Sequence, residues 1–125
     1  MKRSGLLHAE LARTIAGLGH GDIIVVGDAG LPVPNGVPVI DLAVTLGTPS
    51  FWSVLDAILD EMVVDHSVIA VEADTGVTAK FSDRLSPDTV LHDHLKSLCQ
   101  DAVCVVRTGE AVPYTNVVLY AGVAF

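Results

Sequence analysis

Two hydrophobic patterns alternate along the chain, and together they predict helices that alternate with short buried strands. A stripe of leucine and isoleucine recurs at helical spacing near the amino end, at Leu7, Leu11, Ile15 and Leu18. This spacing predicts an amphipathic first helix. We expect Gly19 to end that helix, because glycine readily adopts the left-handed conformation that is common just beyond a helix.

The rest of the chain repeats this alternation. Ser50 is a good N-cap before a helical stripe that runs to Met62, and a further helix is predicted from about Pro87 or Leu91 to Leu98. The weakly patterned segment 75–87 predicts a loop with at most a helical turn. Short apolar runs predict strands at residues 23–26, 39–46, 67–71, 102–106 and 116–120. The predicted fold is therefore α/β, a three-layer α/β/α arrangement with a mostly parallel central sheet.

Composition adds an expectation about assembly. The 125 residues are enough for a single domain. Half of them are hydrophobic and only 18% are charged, whereas about 25% is usual for a globular domain. So few charges leave apolar surface uncovered, and we interpret the excess as a subunit interface. A membrane span is not expected, because Asp or Glu interrupts each apolar run before the roughly 20 residues that a spanning helix needs.

Charge and cysteine content narrow the function classes. The net charge is −8 and the pI is about 4.7, which argues against a nucleic-acid partner. Cys99 and Cys104 are the only cysteines, and their spacing fits neither a redox pair nor a zinc site. Both lie among apolar neighbours, so we expect buried, reduced thiols and a cytoplasmic protein. The amino terminus lacks the pattern of a secretory signal peptide.

The sequence carries none of the common cofactor-binding motifs in the context that each requires. Gly17, Gly19 and Gly21 imitate a dinucleotide loop, but the third glycine comes too early and the run follows a helix instead of a strand. The sequence has no phosphate-binding loop and no nucleophile elbow. His92 and His94 would share a face only on a strand, and we predict a helix there. We therefore expect neither a metal nor a cofactor.

The first candidate chemical group lies around the first predicted strand. His20 follows the first helix, and Asp28 lies at the carboxyl end of the strand. Ligands of open parallel sheets bind beyond the carboxyl ends of strands, so we expect both residues at a binding site. A histidine can both give and take a proton near neutral pH. The competing interpretation is structural, with His20 as a cap and Asp28 as a turn former.

A second candidate group precedes the last predicted strand. The segment Pro113-Tyr-Thr-Asn116 places a phenol and a carboxamide at the entrance of that strand. Both groups form hydrogen bonds with polyols, and an aromatic ring can also lie against the apolar face of a sugar. Proline and asparagine also favour turns, so an ordinary turn is the alternative interpretation.

Taken together, these motifs closely resemble the D-ribose pyranase family over nearly the whole chain. The similarity is weakest between Thr75 and Val90, where the segment is shortened. Fucose mutarotases share the Gly-His and Tyr-x-Asn features, but the Asp-Ala-Gly-Leu-Pro-x-Pro loop is typical of the ribose branch. The matching segments, in order, are Leu18-Gly-His-Gly-Asp22, Val26-Gly-Asp-Ala-Gly-Leu-Pro-Val-Pro34, Ile40-Asp-Leu-Ala43, Gly47-Thr-Pro-Ser-Phe51, Arg107-Thr-Gly-Glu110, Pro113-Tyr-Thr-Asn116 and Ala121-Gly-Val123.

The resemblance implies an isomerase that interconverts the pyranose and furanose forms of D-ribose without a cofactor and supplies sugar to ribokinase. It implies that residues 1–125 form one sugar mutarotase domain and that the protein assembles as a ring, usually a decamer. The implied proton donor is His20, and the implied sugar-binding residues are Asp28, His92, Tyr114 and Asn116. The histidine pattern of the family, His-Glu-x-Phe-Lys, is changed here, because Leu95 stands in the aromatic position.

Two other functions remain open at this stage. A mutarotase that prefers another sugar, such as fucose, would exchange anomers more than ring sizes. A non-catalytic sugar-binding subunit would bind ribose without accelerating any exchange.

Overall fold

The computed structural model describes all 125 residues and contains four α-helices and six strands. The helices, α1 to α4 in chain order, are Ala9–Ala16, Phe51–Leu59, Thr75–Ser82 and His92–Leu98, and a 3₁₀ turn covers Cys99–Asp101. The strands, β1 to β6, are Ile23–Gly27, Val39–Asp41, Val64–Ala70, Asp88–Val90, Ala102–Arg107 and Val117–Ala121. None of the helices has both the length and the apolar character needed to cross a bilayer.

The six strands form one sheet in the order β2-β5-β1-β6-β3-β4. Five strands run in the same direction, and β6 alone is antiparallel to its neighbours β1 and β3. The prediction of a mostly parallel sheet is therefore confirmed. The reversed strand matters for the site, because its amino end lies at the same edge as the carboxyl ends of the other five.

Helices cover both faces of the sheet. Side chains of β1 alternate between two buried clusters, with Ile24 and Val26 in the larger and Ile23 and Val25 in the smaller. The larger cluster includes the apolar faces of α1, α2 and α3, whereas Leu95 of α4 belongs to the smaller one. The predicted three-layer arrangement is thus confirmed. Each fully buried aliphatic side chain contributes about 1.5–3 kcal/mol to such a core.

Helix α1 and strand β2 are shorter than predicted. Helix α1 ends at Ala16 and is capped by Gly17 instead of Gly19. The strand predicted over 39–46 ends at Asp41. The chain then turns tightly, with a bridge between Thr45 and Thr48 and a positive φ of 84° at Gly47. The turn therefore ends the strand well before Leu46.

Helix α3 lies in the segment predicted to be a loop, so that prediction was wrong. Its sequence carries glycine and β-branched residues, which favour a helix weakly. Long-range packing stabilises it, because the ring of Phe81 lies 5.5 Å from that of Phe51 and 4.9 Å from that of Trp52. Asp74 caps its amino end by accepting a 2.8 Å hydrogen bond from the Val77 amide.

The region around α4 was predicted only in part. Of the two starts considered for this helix, the later is correct, since the helix runs over His92–Leu98. The three-residue strand β4 that precedes it was not predicted. It pairs only with β3 at the sheet edge, and so short a segment gives little periodic signal.

The backbone of Gly109, just after β5, lies tightly against the 45–48 turn. A Cβ atom at this position would lie 2.5 Å from the backbone N and O atoms of Thr48. Backbone atoms cannot yield as a flexible side chain does, so glycine is required here by close approach. This contact fixes the 45–48 turn against the end of β5.

Both cysteines are buried and free, as predicted. Burial raises the pKa of Cys99 to about 11 and that of Cys104 to about 11. An apolar surrounding disfavours the charged thiolate, and the thiolate is the reactive form.

We expect both thiols to be alkylated slowly by iodoacetamide in the native protein at pH 8 and rapidly in urea. The unfolded thiols have a pKa of about 8.5, so at this pH only the unfolded chain carries much thiolate. Mass spectrometry of samples quenched over time measures both rates. Equal rates in the two conditions would contradict the burial of these groups.

The raised pKa of both thiols also makes stability depend on pH. The unfolded state releases the thiol protons first as pH rises, so the free energy of unfolding should fall between about pH 8.5 and pH 11.

Gly109→Ala should lower the free energy of unfolding by about 1–3 kcal/mol, because the added methyl group overpacks a backbone contact. Thermal and urea unfolding at one fixed protein concentration measure the change. Gly17→Ala is the matched control, since Gly17 has a helical φ and its nearest contact to an added Cβ is 3.4 Å. If both variants unfold like the parent, the 45–48 turn does not pack on Gly109 as described.

Candidate active site

A cleft of about 630 Å³ opens at the carboxyl edge of the sheet. We call it the edge cleft. Polar side chains of Asp28, His92, Glu110 and Tyr114 line it together with the apolar Leu31 and Leu46. Such a mixture of a few polar groups on an apolar wall is typical of a small-molecule site.

Strand direction explains why these residues meet. Strands β1, β4 and β5 run in parallel and end at this edge, so the residues that follow them converge there. Strand β6 runs the opposite way and begins here, which brings Tyr114 and Asn116 to the same place. The structure thus brings Asp28, His92, Tyr114 and Asn116 together at the carboxyl edge of the sheet, where the strand-end rule placed Asp28.

Asp28 and Asn116 form a reciprocal hydrogen-bonded pair. The Asp28 backbone N–H donates to Asn116 Oδ1 at 2.9 Å, and Asn116 Nδ2 donates to Asp28 Oδ2 at 3.1 Å. Asp28 Oδ1 also accepts a hydrogen bond from the Gly30 amide at 3.0 Å. Asn116 is only 1% exposed, so its amide fixes the orientation of the carboxylate and leaves Asp28 to face the edge cleft.

Gly27 permits this close approach. A Cβ atom there would lie 2.6 Å from Leu31 Cδ2 and 3.1 Å from Asn116 Oδ1. A side chain here would therefore have to displace the buried side chain of Leu31. Glycine lets Leu31 and Asn116 pack closely at the base of the site.

His92 is the first residue of α4 and is held by a carboxylate from the neighbouring loop. Its backbone N–H donates to both oxygens of Glu72, at 2.9 and 3.0 Å. Its ring lies 5.1 Å from that of Tyr114 in an edge-to-face arrangement. His92 Nδ1 is buried and has no hydrogen-bond partner. Leu95, in the position where an aromatic residue was expected, is fully buried beneath the helix.

Tyr114 has a backbone conformation that is rare for its residue type. Its φ is +62°, in the left-handed region that non-glycine residues seldom adopt. Thr115 supports this turn, since its Oγ1 donates a 2.8 Å hydrogen bond to the Val112 carbonyl. Such strain is concentrated at functional sites. The conformation of Tyr114 directs its phenol ring toward His92 at the mouth of the edge cleft.

His20 does not belong to this group, and the expectation that it lies at the carboxyl edge was wrong. It precedes β1, which separates it from Asp28 by about 16 Å of extended chain. Its side chain is exposed, and Nε2 lies 3.9 Å from Asp65 Oδ2. The turn that carries it is fixed by a 2.7 Å hydrogen bond from the Gly19 amide to Asp22 Oδ2. Because the strand was predicted to begin at Ile23, the sequence already implied that His20 lies at the amino end of β1 and not at its carboxyl end.

Two residues of the site were not predicted. Glu72 follows β3 and caps α4, and Glu110 follows β5 and lines the edge cleft. Both come just after a predicted strand, so the rule that identified Asp28 could have identified them too. His94 is exposed on α4 and does not line the cleft.

Comparisons with known proteins agree with this architecture. Residues 1–124 match the model of the RbsD / FucU transport protein family. The D-ribose pyranase of Paracidovorax citrulli is 52% identical, and that of Pseudomonas putida is 50% identical. Both alignments cover 100% of this chain and 100% of the relative.

Solved structures give the same result. The structure of Bacillus subtilis RbsD complexed with D-ribose has a TM-score of 0.95 and 38% sequence identity, with 100% of both chains covered. The fucose mutarotase of Streptococcus pneumoniae, solved in complex with L-fucose, has a TM-score of 0.78 at 23% identity. It covers 96% of this chain and 100% of its own, and it shows the shared fold. On the family match and these full-length relatives, the chain belongs to the RbsD/FucU family.

Proposed function

We propose that this protein is a D-ribose pyranase, an isomerase that interconverts β-D-ribopyranose and β-D-ribofuranose without a cofactor. Relatives of this name share about half of their residues with it over their full length. A structure with D-ribose bound has the same fold at 38% identity. In this proposal residues 1–125 form a single sugar mutarotase domain.

The edge cleft is the single observation that carries the proposal. Within one small volume it offers the carboxylate of Asp28, the imidazole of His92 and the phenol of Tyr114. A pentose presents several hydroxyls that each donate and accept, and these groups supply the complementary partners. The aromatic ring of Tyr114 and the side chain of Leu31 provide apolar surface for the C–H face of the sugar.

Each cleft residue has a distinct role in this proposal. Asp28 accepts hydrogen bonds from sugar hydroxyls, and Asn116 holds its carboxylate in place. His92 offers its imidazole to the sugar, because this side chain lines the edge cleft. Tyr114 contributes both its hydroxyl and its ring. Preorganised groups of this kind need no rearrangement when the sugar binds.

The reaction opens and recloses the ring of one sugar molecule, and each step is accompanied by proton transfer. The bond between C1 and the ring oxygen breaks, the ring oxygen gains a proton, and the anomeric hydroxyl loses one as the aldehyde forms. Rotation of the open chain then presents a different hydroxyl, which adds to the aldehyde with the reverse proton movements. His20 is the proposed acid that protonates the ring oxygen.

His20 must reach the edge cleft from a second copy of the chain. It lies at the opposite end of β1 from Asp28, so one chain cannot present both to one sugar. We therefore propose a homo-oligomer, a ring in which the amino edge of one sheet meets the carboxyl edge of the next. The decamer suggested by the family resemblance is part of this proposal, as is a cytoplasmic location, which the two free thiols support.

Magnetisation-exchange NMR on equilibrated ribose tests the activity. Catalytic amounts of protein should produce exchange cross-peaks between the pyranose and furanose anomeric signals. His20→Ala should reduce the added exchange by about 10²–10⁴-fold, the usual contribution of a positioned general acid. A His20→Ala protein that exchanges the ring forms as fast as the parent would rule out this acid.

Two controls separate the alternatives. His94→Ala removes an exposed histidine outside the cleft and should leave the exchange rate unchanged. Faster exchange with fucose than with ribose would indicate a different sugar preference. Ribose binding without any added exchange would indicate a binding subunit.

Mixed oligomers test the shared site. His20→Ala and Asp28→Asn should each be inactive, but chains of the two variants that are unfolded and refolded together should regain activity. With random mixing, half of the donors carry His20 and half of the clefts are intact, so about a quarter of the sites are complete. The exchange rate of the co-refolded mixture measures this fraction. Variants refolded separately and then combined are the control, and no recovery after co-refolding would place His20 and the cleft in the same chain.

A further inference from the structure

We propose that Glu110 is a positioning residue that holds the segment carrying Tyr114 and Asn116 in its sugar-binding shape. The inference rests on the proposed function and concerns the same cleft. It assigns a role to a carboxylate that lines the cleft without being one of the sugar-binding groups.

A chain of hydrogen bonds connects β1 with Glu110. The Thr108 hydroxyl donates to the Gly27 carbonyl at 2.9 Å, and the Glu110 backbone N–H donates to the same hydroxyl oxygen at 3.2 Å. Thr108 is fully buried, so water does not compete for these bonds. Glu110 therefore begins its turn from a fixed point at the end of β1.

Glu110 then binds the next residues of the loop. Its Oε1 accepts hydrogen bonds from the backbone amides of Ala111, at 3.1 Å, and Val112, at 3.0 Å. Its carbonyl oxygen accepts a 2.9 Å hydrogen bond from the Ala29 amide, in the loop that carries Asp28. One residue thus joins the loops on two sides of the edge cleft.

The same segment reaches Tyr114 through Val112. The Val112 amide donates to Glu110 Oε1, and its carbonyl accepts the hydrogen bond from Thr115. Tyr114 lies inside this turn with its φ of +62°. A backbone conformation of this kind persists only where neighbouring contacts enforce it. Loss of the acceptor at Glu110 removes one end of that support.

The role of Glu110 depends on the position of its oxygen and not on its charge. Its carboxylate forms no salt bridge, and its side-chain partners are backbone amides alone. A glutamine has a side-chain oxygen at the same distance along the chain, whereas an aspartate keeps the charge and withdraws the oxygen by one methylene. These two variants separate acceptor position from charge.

We expect Glu110→Asp and Glu110→Ala to raise the KM for ribose by about tenfold, because the loop loses two hydrogen bonds that hold its sugar-binding shape. Glu110→Gln should stay within about twofold of the parent. The exchange measurement, repeated over a range of ribose concentrations, gives KM and kcat separately. Glu61→Ala is the matched control, because Glu61 also accepts a backbone hydrogen bond, from Leu6 at 3.0 Å, but lies outside the cleft.

Amide hydrogen exchange without sugar gives a readout that does not depend on activity. The amides of Ala111 and Val112 should lose protection in Glu110→Asp and keep it in Glu110→Gln. Equal behaviour of the Asp and Gln variants in KM and in amide protection would overturn the proposal, as would a parental KM in Glu110→Asp. A parent protein that does not exchange ribose would refute the proposed function, while the amide protection would still decide whether Glu110 holds the loop.

Discussion

The antiparallel pairing of β6 with β1 is the constraint on which the site depends. In this register Val117 lies opposite Val26, so the residue before β6 arrives beside the residues that follow β1. The hydrogen bonds between Asp28 and Asn116 extend this pairing beyond the last strand residues. If β6 ran parallel to β1, Asn116 and Tyr114 would lie at the other edge of the sheet, and the cleft would lose the phenol of Tyr114 and the support of Asn116 for Asp28.

Around this pairing, the site combines tight packing with local strain. Gly27 and Gly109 allow backbone and side chains to approach more closely than any other residue would permit. Buried Thr108 donates to the Gly27 carbonyl at the end of β1, and buried Thr115 donates to the Val112 carbonyl within the loop. This network can hold Tyr114 in an unfavourable backbone conformation because the two residues that follow it, Thr115 and Asn116, are buried and hydrogen-bonded. The rigid core of β1 and β6 therefore supports a strained loop at its edge.

Local sequence patterns predicted the elements whose stability is mainly local. They failed where contacts between distant residues determine which element forms or in which direction it runs. The β-branched run of β1 and the Ser50 cap of α2 carry their own signals, and both were found. Helix α3 forms because Phe81 packs against the aromatic rings of α2, which no local pattern reveals. The direction of β6 was also missed, although residues 108–116 are too few for the crossover that a parallel connection needs. Asp28 was predicted from a general rule about strand ends, whereas His92, Tyr114 and Asn116 were predicted from a family resemblance. The position of His20 was misjudged because the same rule was applied to a residue that precedes β1.

The length of β1 has a consequence beyond the single chain. The strand is buried on both faces throughout, so it cannot gain or lose a residue without changing which side chains face each core. It also separates His20 at one end from Asp28 at the other. In an assembly in which His20 of one subunit meets Asp28 of the next, the length of β1 would set the distance from one reaction centre to the next. The hydrophobic interior of each subunit and the geometry of the ring would then be fixed by the same five residues.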